Sequence, residues 1–102
     1  MTETLRDKVE EALRTVHDPE IPVNIYDLGL VYEIKIGDEG KIQITMTLTA
    51  PACPAAPEII FDAESKIRAI EGVNDVHIQL TFNPPWTKEM MSEEAKLELG
   101  FL

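Results

Sequence analysis

Apolar residues near the start of the chain recur with helical spacing. Leu5, Val9, Ala12, Leu13 and Val16 fall at i, i+4, i+7, i+8 and i+11, one stripe of an amphipathic helix. Thr2 and Thr4 are its candidate caps. Asp18-Pro19 is where it should end, because a residue before proline is pushed out of the helical region. From His17 to Gly29 the period is lost. Pro19, Pro22 and Asn24 interleave with Ile21, Val23, Ile25 and Leu28, which predicts a long ordered loop. Loops of that length inside compact domains often carry function.

Alternation with period two follows. Leu30, Tyr32, Ile34 and Ile36 alternate with Val31, Glu33 and Lys35, the pattern of a half-buried strand. Gly37-Asp38-Glu39-Gly40 reads as a turn, and Ile42, Ile44, Met46 and Leu48 form the second arm of a hairpin. Ala50-Pro51-Ala52-Cys53-Pro54 breaks that strand. Ala56, Ile60, Ala63, Ile67 and Ile70 predict a second helix, with Gly72 as its left-handed cap. Val76, Ile78, Leu80 and Phe82 predict a third strand, stopped by Asn83-Pro84-Pro85. Ser92-Glu93-Glu94 opens a short last helix that Gly100 closes.

The order α-β-β-α-β-α predicts a two-layer α+β fold, a small three-stranded mixed sheet with helices on one face. The helix between the second and third strands makes them parallel if they are neighbours. The other face would carry Gln43, Thr45, Thr47, His77, Gln79 and Thr81. That face is polar and nearly uncharged, suited to water or to self-association. With 102 residues, one domain spanning 1–102 is expected.

Charge narrows the function classes. Nineteen acidic residues against nine basic ones give a formal charge of −10. That sign repels phosphate backbones and anionic lipid, so neither a nucleic acid nor a membrane is an expected partner. It suits a basic protein or a cation, and also plain solubility. A lone cysteine makes no internal disulfide, the first residues lack an apolar signal core, and no run is long enough to span a bilayer. The expected location is the cytoplasm.

Cys53 is the most informative position. Proline is favoured at the first helical position, so Cys53 before Pro54 is the natural cap of the second helix. Free amides and the helix dipole there would favour thiolate, lowering the thiol from about 8.5 by one unit or more. The competing reading is a small buried hydrophobe. The acidic loop with Asp18, Pro19, Glu20 and Asp27 either faces a cation or partner or simply makes turns. Pro84-Pro85-Trp86 either packs back on the fold or forms a recognition edge, and Met90-Met91 beside it is soft core filler. His17 and His77 match no compact metal motif. No hydrolytic triad, zinc motif, phosphate loop or paired CxxC occurs, so a stand-alone enzyme is not expected.

Four segments carry a resemblance together. They are His17-Asp18-Pro19-Glu20-Ile21-Pro22 leading into Tyr26-Asp27-Leu28-Gly29-Leu30-Val31-Tyr32, then Thr47-Leu48-Thr49-Ala50-Pro51-Ala52-Cys53-Pro54, then Ile70-Glu71-Gly72-Val73, and Phe82-Asn83-Pro84-Pro85-Trp86 followed by Met90, Ser92 and Glu93. In this order and spacing the chain resembles the SufT-like and PaaD-like family of iron–sulphur cluster assembly domains, from about Leu5 to Phe101. The resemblance implies an accessory role in cluster assembly or maturation. It places the reactive cysteine at Cys53 and points to Asp18, Pro19, Glu20 and Thr49 as supporting positions. PaaD-like relatives carry a further cysteine-rich C-terminal segment. This chain ends at Leu102 without one, so the general assembly type is expected.

Ligand counting bounds the mechanism. A cluster normally takes four cysteine thiolates, one chain offers one, and a two-fold homodimer offers two. Three readings follow. Cys53 transiently ligates iron or a cluster during delivery to client apoproteins; or the domain is a metal-free adaptor joining assembly proteins to clients; or Cys53 is a redox sensor that needs a partner thiol.

Overall fold

The computed structural model describes residues 4–18, 21–49 and 56–100. Helix α1 spans Leu5–Leu13. Thr4 caps it in a reciprocal capping box, accepting from the Asp7 amide at 3.1 Å while its own amide donates to the Asp7 carboxylate. The helix stops earlier than the apolar stripe suggested. The Thr15 hydroxyl donates to the Ala12 carbonyl at 2.6 Å, and the Thr15 and Val16 amides bond to Ala12 and Leu13. These local bonds satisfy the last carbonyls and end the helix before Asp18-Pro19. Val16 stays in the core beyond the helix end.

The expected loop from His17 to Gly29 contains structure of its own. Strands β1, His17–Asp18, and β2, Ile21–Asn24, pair antiparallel. A turn follows, its shape fixed by the Asn24 side chain. That amide accepts from the Asp27 N–H and donates to the Asp27 carboxylate, both at 2.8 Å.

The main sheet has the order β3-β4-β5, with β3 at Val31–Ile36, β4 at Lys41–Met46 and β5 at Asp75–Leu80. β3 and β4 form the expected hairpin, with a slip between Val31 and Glu33. β4 and β5 are parallel in unbroken register, from Lys41 opposite Asp75 to Met46 opposite Leu80. Helix α2, Ala56–Arg68, makes the crossover and packs on β5 and α1. Helix α3, Glu93–Glu98, is capped by Ser92, whose hydroxyl accepts from the Ala95 amide. The core runs from Val9 and Leu13 through Ile42, Ile44 and Met46 to Ile59, Ala63 and Ile67.

Four local expectations need correction. Ile59, not Ile60, is the buried position of α2, so the true stripe is Ile59, Ala63 and Ile67. Gly72 is left-handed at φ +99°, yet it lies in a turn beyond the helix end at Arg68. Thr47 is fully buried, not on the polar face: past Met46 the alternation ends, and Met46, Thr47 and Leu48 are all interior. β5 ends at Leu80, short of Phe82, and its apolar side is covered at Val76 and Ile78 but not at its end. Val76 is buried, but Leu80 and Phe82 are 36% and 41% exposed.

Candidate functional site

β4 ends by running into the interior. The Thr47 amide donates to the Leu30 carbonyl at 2.8 Å, Leu48 is buried and Thr49 half-buried. The chain resumes at Ala56, the first residue of α2. Cys53 and Pro54 fall between these ends and lie outside the described residues, as do Pro19 and Glu20. β4 and β5 are parallel, so the β4–α2 connection leaves from their carboxyl edge.

The β1–β2 hairpin stands beside the start of α2. His17 lines a depression of about 210 Å³ with Glu58, Ile59 and Asp62. Glu58 and Asp62 share one helix face, being four residues apart. Asp62 is paired with Lys66 at 3.2 Å, and the same ammonium donates to the Thr15 carbonyl at 2.7 Å. This lysine ties α2 to the turn between α1 and β1. Glu58 has no ion-pair partner among the described residues. The i, i+4 spacing of Glu58 and Asp62 is visible in sequence, but their meeting with His17 depends on the fold.

Asp18 is buried, at 4% exposed. Asp27 and Trp86 belong to a different neighbourhood. The Trp86 indole N–H donates to the Leu28 carbonyl at 2.7 Å, and its ring packs against the core. The Asp27 carbonyl accepts from the Ser92 amide at 2.8 Å. The Tyr32 hydroxyl donates to the Pro84 carbonyl at 2.8 Å and meets the Met90 sulphur at 3.5 Å. These bonds clasp residues 84–92 to the turn after β2 and to the start of β3. A Cβ on Gly29, at φ +82°, would lie 2.2 Å from the Met90 carbonyl oxygen, so the clasp needs glycine there. The clasp uses the indole N–H on the chain's own backbone. Met91 is buried in the core, as core filler should be.

Among the described residues, one ionisable group is clearly shifted. Tyr26 is raised above its usual value, first by burial and then by its hydrogen bond to Glu10 and that carboxylate's charge. Arg14, 4.7 Å over the ring, opposes the rise. Among the described residues, no three His, Cys, Asp or Glu side chains are arranged to hold a metal ion. No helix among them is long and apolar enough to cross a membrane.

With this geometry in place, kinship is decisive. A family model described as "Iron-sulfur cluster assembly protein" matches residues 6–80, and the chain belongs to that family. It is 58% identical over 96 residues to an Fe-S protein maturation auxiliary factor of Porphyromonas gingivalis, covering 94% of this chain and 91% of that one. It is 42% identical to the Fe-S protein maturation auxiliary factor SufT of Staphylococcus aureus, over 83% of this chain and 97% of that one. A crystal structure of a domain of unknown function from Bacillus anthracis superposes with a TM-score of 0.91 at 37% identity. The match covers 96% of this chain and 93% of that one.

Proposed function

We propose that the chain is an auxiliary factor of iron–sulphur protein maturation in the cytoplasm. It is not an enzyme. It handles iron or a cluster as cargo through Cys53, transiently, between assembly proteins and client apoproteins. The observation that supports this reading most is topological. In the chain order Cys53 falls between β4, whose carboxyl end lies beside that of the parallel β5, and α2, whose first turns share a depression with His17. A thiolate at such a helix start is stabilised by free amides and by the helix dipole. Its role is to present one exchangeable ligand, because a single thiol holds no complete cluster. Thr49, Asp18, Pro19, Glu20 and Pro54 are then positions that shape the setting of Cys53.

Anaerobic reconstitution of wild type beside Cys53→Ala tests the cargo step. Visible absorbance from bound iron and sulphide should depend on Cys53, and equal reconstitution of the two proteins would refute direct cargo handling.

A lone thiol supplies too few ligands for a cluster, and that favours a second reading, a metal-free adaptor between cluster carrier and client. Client-enzyme activity in cells lacking the native chain separates the two. Cys53→Ala fails to restore it if the thiol handles cargo, and restores it fully if the domain is an adaptor.

A further inference from the structure

The two edges of the main sheet are managed differently. An open edge strand is a template for pairing, and proteins guard such edges with slips, charges or cover. β3 has all three kinds of guard. It carries the slip between Val31 and Glu33, a Glu33–Lys35 ion pair at 3.7 Å, and the Arg6 guanidinium donating to the Ile34 carbonyl at 2.9 Å. β5 has the sequence Asp75-Val76-His77-Ile78-Gln79-Leu80, with no proline, no lysine and no slip against β4. Among the described residues its one attendant is Arg68, which reaches the Val76 carbonyl at 3.5 Å and Asp75 at 3.8 Å, both at the start of the strand.

The direction of the backbone groups is settled by two bonds. The Thr81 amide donates inward to the Met46 carbonyl, and the Val76 carbonyl faces outward to Arg68. Odd-numbered residues of β5 therefore bond to β4, and Val76, Ile78 and Leu80 turn their peptide groups to the free edge.

We infer that this edge pairs with the same edge of a second copy, antiparallel about a two-fold axis through Ile78. The strand is self-complementary in that register. On the helix side Val76 meets the partner copy's Leu80 and Ile78 meets its own counterpart, so apolar stands opposite apolar. On the other side His77 meets Gln79, and Asp75 meets Thr81, so no like charges face each other. Exposed Leu80 is covered, and two three-stranded sheets become one of six strands. A copy of this chain suits the edge where a charged segment would not, because β5 offers Asp75 alone as a charge. The antiparallel arrangement sends the carboxyl ends of the two β4 strands to opposite ends of the joined sheet, and the inference stands whatever Cys53 does.

Sedimentation of wild type over a wide loading series should show a concentration-dependent dimer. His77→Lys with Gln79→Lys places lysine opposite lysine twice and should yield monomer. Both positions are exposed, so the fold is retained, as circular dichroism will verify. His77→Lys with Gln79→Glu sets opposite charges face to face and should restore the dimer. Overall charge argues the other way, since the double-lysine variant is less negative than wild type and would repel its copy less. That separates pairing in this register from general electrostatics. Monomer at every wild-type concentration overturns the inference, as does a dimer indifferent to both variants.

Discussion

At the residue scale, Tyr26 carries the clearest coupling between pH and stability. Its hydroxyl donates to Glu10 at 3.1 Å, across from the β2 turn to α1. Burial and the Glu10 charge both favour the neutral phenol. The folded value is raised above the usual one of about 10. The stabilisation is thus complete below about pH 10 and is lost as pH rises through the folded value. Denaturation midpoints followed into the alkaline range should fall for wild type, and Tyr26→Phe should fall less over the same interval. Parallel decline of the two proteins would show that the phenol is not coupled to folding. Neither the partner nor the sign was legible in sequence, because Glu10 and Tyr26 are joined only once α1 packs beside the turn. Cys53 is the reverse case: its proline neighbour and its place between strand and helix were plain from the sequence.

At the element scale, periodic segments were readable and the irregular ones were not. α1, the β3–β4 hairpin, α2 and β5 follow from spacing because each buries one face, and burial imposes the period. The β1–β2 hairpin was hidden. Its first strand has two residues, too few for any alternation to register. The burial of Thr47 was hidden too, since it arises just past the end of β4, where a hydroxyl residue is buried between the apolar Met46 and Leu48. The clasp of residues 84–92 has no period either. It depends on Trp86, whose indole bonds to the carbonyl of Leu28, a fully buried residue. Trp86→Phe keeps most of the ring packing and leaves that carbonyl without its donor. Such a loss costs about 1–3 kcal/mol. Urea denaturation should show the midpoint lowered with the slope unchanged. A midpoint equal to wild type would mean that the indole bond contributes nothing to holding the clasp.

At the scale of the whole molecule, the charge of −10 acts on folding and on association alike. The described ion pairs, such as Arg6–Glu10 at 3.3 Å and Arg68–Glu64 at 2.9 Å, engage basic residues that are already few. Among the described residues, exposed carboxylates such as Glu11, Asp38, Glu58, Glu71 and Glu94 have no ion-pair partner. Like charges on a compact body raise its free energy relative to the extended chain, where they stand farther apart. Added salt shortens the reach of that repulsion to about 8 Å at physiological ionic strength and less above it. Exposed ion pairs are weakened by the same screening, but each contributes only about 0–1 kcal/mol. Repulsion summed over the surplus of acidic groups outweighs them. The melting temperature should therefore rise with sodium chloride from low ionic strength upward, and with it the fraction of dimer joined through β5. Sulfate would confound the measurement by strengthening apolar burial, so chloride is the salt to use. A melting temperature that falls or stays flat over that range would show that local ion pairs, not net repulsion, dominate the electrostatics of this fold.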